Sequence, residues 1–479
     1  MNGTGESPTS TFAIWRELLG PAYRGQLALL CFGVWLHAAS SLLAATTLPR
    51  AVEEIGGVAL IGWAFMLYQM GSIVAGSATG LLFARFGLQK AMIAGATLYT
   101  VGCCVGASAS DIKILLAGRA LQGMGGGAML ALTFIALQRL FPAKVMPRIM
   151  ALISTVWSIS VFFGPVIGGS FANFGLWRVA FWAFAIQAVI FIGCASWVLR
   201  AHNELPKETR PFPGVRVMII ALGVTLVALA GVEPDPLWST LACLLALAVF
   251  ALFLWVDARK PAVRMFPSTP WDIRRPLGAG FTLFLFGFCS TMSFLVYGPL
   301  LLEVLHGVLP LKAGYILALE SVAWGVAAVA CSGASANLER WLIRIGPLAI
   351  TSGVLGFAWF MPHGPVLGIA LCALITGCGF GMMFAFVVRA VVQNAPQSER
   401  DVTSSAIPTV QQIGMAIGAS IVGIIANGVG LGVDVSAPVA RDAASWVFLG
   451  FLPTLLVLCL AGFQLARFID KQESKTFTP

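Results

Sequence analysis

Charge is what this sequence has least of. Asp, Glu, Lys and Arg make up 10% of its 479 residues, where a soluble domain carries about 25%. A chain so short of charge cannot present an ordinary solvated surface, which excludes a soluble enzyme, a disulfide-stapled secreted domain and a disordered scaffold. It also lacks any C-x-x-C pair and any Cys/His cluster at zinc spacing. The ten cysteines, Cys31, Cys103, Cys104, Cys194, Cys243, Cys289, Cys331, Cys372, Cys378 and Cys459, lie in or at the ends of apolar runs and read as small lipophilic packing residues. There is no G-x-x-x-x-G-K-[ST] loop and no H-E-x-x-H, and His37, His202, His306 and His363 are scattered. Nucleotide-driven chemistry and intramembrane hydrolysis therefore have no machinery here, and no cofactor or metal is expected. The first 24 residues are polar and carry no small-residue cleavage site, so no removable signal peptide is expected.

What is present is apolar sequence: 58% hydrophobic residues and a mean hydropathy of +0.90. A membrane helix needs about 20 apolar residues, and runs of that length place fourteen helices along the chain. They cover 25–48, 60–83, 91–110, 112–140, 148–171, 178–199, 214–232, 237–256, 276–302, 312–335, 343–360, 365–392, 404–427 and 444–467. Only Glu233-Pro234-Asp235-Pro236 separates the seventh from the eighth. The expected fold is an all-α polytopic membrane protein.

The few charges test that layout. With both termini in the cytoplasm, 23 of the 29 Lys and Arg fall in cytoplasmic segments, among them Arg85, Lys90, Arg139, Lys144, Arg148, Arg274 and Arg275. Five fall outside (Arg50, Lys113, Arg178, Lys312 and Arg441), and Arg119 lies within a helix. Cytoplasmic loops accumulate Lys and Arg, so this bias accounts for the net charge of +9 without nucleic acid. A multi-pass protein of the inner (plasma) membrane is expected.

A repeat underlies the fourteen helices. A shift of 254 residues carries Gly123, Gly125, Gly127, Met129, Ala131 and Pro142 onto Gly377, Gly379, Gly381, Met383, Ala385 and Pro396, and Gly164 and Gly169 onto Gly418 and Gly423. Two parallel six-helix bundles, 25–200 and 276–467, are expected, joined by a linker, 201–275, holding two helices. Tails 1–24 and 468–479 complete the chain. Repeated halves with a site between them are a recurring plan of secondary transporters.

Three segments carry more than packing. The fourth helix reads Arg119-Ala120-Leu121-Gln122-Gly123-Met124-Gly125-Gly126-Gly127; its glycines allow close helix approach. Arg119 lies roughly 10 Å inside the helix at 1.5 Å per residue, and a central Arg costs about 2.5–3.5 kcal/mol. It must snorkel outward, face a wet cavity or meet an acidic partner. The second segment is Gly80-Leu81-Leu82-Phe83-Ala84-Arg85-Phe86-Gly87-Leu88-Gln89-Lys90, and the third Gly164-Pro165-Val166-Ile167-Gly168-Gly169. Taken together in chain order they resemble the major facilitator superfamily, specifically its fourteen-helix drug/proton antiporter subfamily: the Gly80 segment matches its G-x-L-a-D-r-x-G-r-k loop, the Arg119 segment its R-x-x-Q-G motif and the Gly164 segment its G-P-x-x-G-G motif. The resemblance spans nearly the whole chain. It implies two bundles rocking about a central cavity, exporting small lipophilic or cationic compounds in exchange for protons, with a small-molecule substrate, protons and the lipid bilayer as partners and a functional monomer. Gly80, Arg85 and Gly87 would latch the halves on the cytoplasmic side; Gly164, Pro165, Gly168 and Gly169 would shape the antiporter bend.

Two positions depart from the family pattern. The loop Asp falls on Ala84, and the acidic residue usual in the first helix falls on Ser40. An uncoupled facilitator or a lipid or metabolite carrier of the same fold is therefore the alternative. Glu320 is the one carboxylate well inside an expected span, roughly 12 Å deep in a core about 30 Å thick. It is the leading proton or cation site; an ion pair with Arg119 and an outer-facing hydrogen bond stand against it. Trp324, one turn on, adds a ring face for a cation. His37 is a second titratable candidate, whereas Glu303 and His306 read as a solvated rim. Tyr68, Gln69, Gln122, Trp157, Gln411 and Gln412 suit an aromatic, weakly polar cavity.

Overall fold

In a bilayer every backbone N–H and C=O must be satisfied inside the protein, so the apolar runs close on themselves as helices. The computed structural model describes residues 20–21, 23–142, 145–200, 214–229, 236–259, 264–331 and 334–476. Five helices form the N-terminal half: α1 (Arg24–Ile55), α2 (Ile61–Ala107), α3 (Ile112–Leu140), α4 (Met146–Asn173) and α5 (Trp177–Val198). Two form the linker hairpin, α6 (Gly214–Leu229) and α7 (Pro236–Arg259). The C-terminal half holds α8 (Pro276–His306), α9 (Pro310–Cys331), α10 (Ala336–His363), α11 (Val366–Gln393), α12 (Arg400–Gly428), α13 (Ala437–Leu449) and α14 (Leu452–Thr476). Among the described residues thirteen helical stretches are long and apolar enough to cross a membrane. The seventh expected span, 214–232, is helical over Gly214–Leu229, and its last three residues lie outside the described ones.

Three boundaries differ from expectation for identifiable reasons. The second and third spans are two helices, as expected, but they run closer together than 83 and 91. Only a non-helical break parts them, where Gly87 takes φ 77° and ψ 172°, a backbone conformation that favours glycine, and the label α2 covers both. The first span continues past Leu48 to Ile55, because the charges that end its apolar run find partners: Arg50 with Glu53 and Glu303, and Glu54 with Arg178. The last span breaks into α13 and α14, since Pro453 has no N–H to give the Leu449 carbonyl.

Close helix approach builds the repeat into the packing. A Cβ added at Gly123 would overlap the Tyr68 carbonyl, and one at Gly377 would overlap the Glu320 carbonyl. Gly127 lies in the same way against Ser72, and Gly381 against Trp324. On the opposite side Gly125 abuts Gly95 and Tyr99, as Gly379 abuts Gly346 and Ile350. The two bundles are thus one design used twice, with Tyr68 and Glu320 at equivalent positions. The contacts between halves repeat as well. A Cβ at Gly62 would stand 2.5 Å from the Ala419 carbonyl oxygen, and one at Gly314 would stand 2.5 Å from that of Pro165. These contacts, α2 on α12 and α9 on α4, lie toward the end of the molecule away from the chain termini, called distal below.

Because overpacking a tight helix contact costs about 1–3 kcal/mol or more, Gly123→Leu and Gly377→Leu should each abolish a monodisperse peak in detergent gel filtration. Gly325→Leu should leave it intact, since a Cβ there meets nothing within 4 Å.

Candidate functional site

Arg119 is wholly buried, at 0% exposure, and among the described residues no carboxylate pairs with it. Its acceptors come from the bundle. Nε donates to the Ala64 carbonyl at 3.3 Å, and Nη1 donates to the Ser40 carbonyl at 3.2 Å and to Gln122 Oε1 at 2.9 Å. The guanidinium also stands over the Tyr68 ring, 4.2 Å from its centroid, a cation–π contact that strengthens as water is excluded. Nη2 has no hydrogen-bond partner among the described residues. Of the alternatives open in the sequence, neither outward snorkelling nor a pair with Glu320 is formed.

The same cluster takes in His37. Tyr68 Oη donates to the His37 carbonyl at 2.8 Å and lies 3.2 Å from His37 Nδ1. The His37 ring is 5.6 Å from that of Tyr68 and 5.9 Å from that of Trp157. Gly126 makes the room, as a Cβ there would come within 2.8 Å of His37 Nδ1. Gln122 spends its amide on Cys103 Sγ at 3.1 Å. Tyr68 and Gln122 were expected on a cavity wall; both are sealed inside the N-terminal half instead, consumed in holding the arginine. His37 is buried with them, and Trp157 is half-buried at the cluster's edge.

Glu320 has a different environment. It is half-buried and makes no hydrogen bond or ion pair with another described residue. Trp324, at i+4 on the same helix, stacks on Phe380 with centroids 4.9 Å apart and planes 12° apart. Phe384 and Phe288 complete the cluster at 5.3 and 6.0 Å from Trp324. Sequence reasoning missed these three phenylalanines among 33. The available signal was Phe380 and Phe384, spaced i and i+4 on either side of the repeat glycine Gly381. Since the halves repeat, Glu320 lies at the depth of Tyr68, and therefore near the level of the Arg119 guanidinium, in the opposite half.

The remaining motif residues are structural or join the halves. Gly164 packs on the Ala39 carbonyl and Gly168 on that of Leu43, while Gly169 meets Pro310 across the interface; Thr46 Oγ1 donates to the Pro165 carbonyl at 2.9 Å. The G-P-x-x-G-G segment therefore wedges α4 between α1 and α9. Gln69 Nε2 lies 3.3 Å from Met415 Sδ across the α2–α12 seam, and Gln411 and Gln412 are half-buried on α12. Gly80 falls in the helix of α2 that ends before the break at Gly87, and Arg85 is exposed, 5.6 Å over the Phe86 ring. At the distal end Arg50 Nη2 stands 2.5 Å from Glu303 Oε1, and Asn427 donates to the Ala59 carbonyl at 2.8 Å. Glu303 is thus an inter-half contact, not the solvated rim residue the sequence suggested, and His306 is tied to the Met361 carbonyl at 2.8 Å.

Comparison with known proteins agrees with this geometry. The profile of the Major Facilitator Superfamily matches residues 30–419. A probable multidrug-efflux transporter of Mycobacterium tuberculosis is 31% identical over 433 residues, covering 86% of this chain and 89% of its own. The multidrug efflux pump SdrM of Staphylococcus aureus is 24% identical over 397 residues, covering 82% and 87%. Among solved structures, a D-xylose–proton symporter aligns with a TM-score of 0.61 at 14% identity, over 90% of this chain and 97% of its own. A POT peptide transporter bound to alafosfalin gives 0.66 at 14% identity, over 92% and 95%. These structural likenesses speak for the fold alone.

Among pairs of described residues, Arg50–Glu303 is the ion pair that joins the halves. A pair of this exposure contributes up to about 1 kcal/mol. Glu303→Gln should therefore shift the balance toward distally open molecules by up to about fivefold, read by electron-spin distances across the distal ends. The double swap Arg50→Glu with Glu303→Arg should restore it.

Proposed function

The chain belongs to the major facilitator superfamily, and from that premise we propose that it exports small lipophilic or cationic compounds by alternating access in exchange for protons. It is a multi-pass membrane transporter of small molecules and not an enzyme. The reading places it in the plasma membrane as a monomer with both termini cytoplasmic, rocking residues 25–200 against 276–467. In that orientation the contacts at the distal end describe a molecule closed to the outside.

The observation that carries the exchange is Glu320, a carboxylate inside a span without a partner among the described residues, one turn from an aromatic cluster. A lone ionised carboxylate at this depth is costly, and two occupants relieve it. A proton neutralises it; a lipophilic cation neutralises it while laying its apolar surface on Trp324, Phe380 and Phe384, where ring faces attract positive charge. The two cannot be held together, so one carboxylate links the outward passage of substrate to the inward passage of protons. The force suffices: one charge crossing about 150 mV releases about 3.5 kcal/mol, enough for roughly a 300-fold solute gradient.

A second reading, transport without proton coupling, is favoured by Ser40. The family's first-helix acid would fall at this position, beside a guanidinium that meets no carboxylate among the described residues.

Proteoliposomes separate the two. In the exchange reading, an imposed pH gradient accelerates movement of a lipophilic cation, and Glu320→Gln abolishes that acceleration while leaving expression and gel-filtration behaviour unchanged. Unaltered pH-driven flux in Glu320→Gln would remove the proposed role of Glu320. A wild-type flux indifferent to the gradient would favour the uncoupled reading.

A further inference from the structure

At the distal end the N-terminal half encloses a cavity of about 450 Å³, lined by Arg50, Glu53 and Glu54 of α1, Asn173 of α4 and Trp177 of α5. Local sequence builds it. The helix α4 stops at Asn173, and Gly175 takes φ 72°, so the chain turns at once into α5 and sets Asn173 and Trp177 beside the end of α1. The walls are braced. Trp177 is buried, and its Nε1 donates to Glu54 Oε2 at 2.9 Å. Arg178 Nη1 stands 2.7 Å from both Glu54 oxygens, while Nη2 donates to the Ala109 carbonyl at 2.9 Å. The mouth is open, since Gly175 also borders the cavity and a Cβ there meets nothing within 4 Å.

The charges around this cavity do not balance. Glu54 is engaged by Trp177 and Arg178, but among the described residues Glu53 has Arg50 alone, and shares it with Glu303 of the other half. Arg50 Nη1 is 2.7 Å from Glu53 Oε2, and Nη2 is 2.5 Å from Glu303 Oε1. Three carboxylates thus face two guanidiniums, which leaves one negative charge over. Glu53 and Glu303 also repel one another across the arginine they share. Asn173 Oδ1 is shielded from solvent and accepts from no described residue. The cavity therefore offers acceptors in want of donors, Glu53 Oε1 and Asn173 Oδ1, together with apolar surface from Ala172 and Trp177.

We infer that this cavity binds a linear polyammonium compound from the solution at the distal end, and that its occupancy tightens the clasp between the halves. Ammonium N–H groups supply donors to Glu53 and Asn173, and the methylenes joining them lie on Ala172 and Trp177. A bare metal ion is too small to fill the space, and an aromatic cation without N–H has nothing to give Asn173. An ammonium on Glu53 leaves Arg50 to Glu303 and cancels the repulsion between the two carboxylates. The distally closed form is then favoured, and by linkage it binds the ligand more tightly than the open form does. The effect on transport rests on the export reading above: a polyamine on the outer side slows opening of the exit. The binding itself does not rest on it.

Spermidine is the probe. In titration calorimetry on the purified protein it should bind at a single site, and Glu53→Gln, with an unchanged gel-filtration profile, should abolish the heat. Asn173→Ala should weaken binding about tenfold, the loss of a hydrogen bond to a charged group. Saturating spermidine should shift electron-spin distances across the distal ends toward closed molecules by about threefold, within what a half-exposed ion pair contributes. Glu303→Gln should bind spermidine without that shift, and Glu320→Gln should keep both binding and shift, which separates this cavity from the central site. Magnesium chloride at equal ionic strength should reproduce neither. Spermidine binding that survives Glu53→Gln overturns the proposal, as does a shift that magnesium chloride matches. If proteoliposomes export no lipophilic cation, the export reading fails, and calorimetry and distances still decide the site.

Discussion

A guanidinium in the middle of a membrane protein sets the terms for everything around it. Arg119 is buried and has no carboxylate beside it among the described residues, so its charge is dispersed over the carbonyls of Ser40 and Ala64, the amide oxygen of Gln122 and the face of Tyr68. Each partner is a constraint in turn. The Tyr68 ring must lie flat under the charge, so its hydroxyl is directed to His37. Gln122 turns its amide toward Cys103. Carbonyls free to accept from a side chain require α1 and α2 to pass close to α3, and the glycines of α3 are what permit that. The glycine-rich segment and the buried arginine are therefore one device, in which small residues bring backbone oxygen near enough to solvate a cation where water cannot.

The C-terminal half repeats the glycines without the cation. Gly377, Gly379 and Gly381 bring α11 against α9 and α10 as their counterparts do, but Ala373 stands where the shift of 254 residues would carry Arg119. Where Gly126 lies against the His37 ring in the N-terminal half, the repeat places Phe380, stacked on Trp324 with Phe384 beside it, and the position equivalent to Tyr68 holds Glu320. Duplication thus supplied a scaffold, and substitution on it gave one half a buried cation held by its own carbonyls and the other an aromatic cluster beside Glu320, which pairs with no described residue.

This division explains what could be read from the chain. Span number, repeat and family motifs were legible because each depends on local composition or on spacing, and a bilayer tolerates little ambiguity in either. Arg119 and Glu320 stood out because an ionisable residue in an apolar run is rare. Their partners did not. Ala64 and Ser40 act through backbone carbonyls, which every residue has, and Phe288 is one apolar residue in a helix full of them. Gly87 was legible as a motif residue but not as the single residue at which the two helices part. The ion pair of Arg50 with Glu303 joins residues far apart in sequence, both at the ends of apolar runs, where charge ordinarily means solvent; nothing short of the packed structure distinguishes a rim residue from a clasp.

The clasp and the glycine contacts also account for which end of the molecule is shut. Gly62 against Ala419 and Gly314 against Pro165 are a symmetric pair, and contacts without side chains between them can part and re-form with little rotamer entropy at stake. Arg50–Glu303 has no counterpart under the repeat, since the shift carries Arg50 onto Val304. It is a directional bond laid over a nondirectional interface. Symmetric backbone contacts define where the halves meet, and one asymmetric ion pair biases how long they stay together. An alternating-access carrier needs that combination: an interface that is cheap to open, held by a bond weak enough for bound substrate or proton to outweigh.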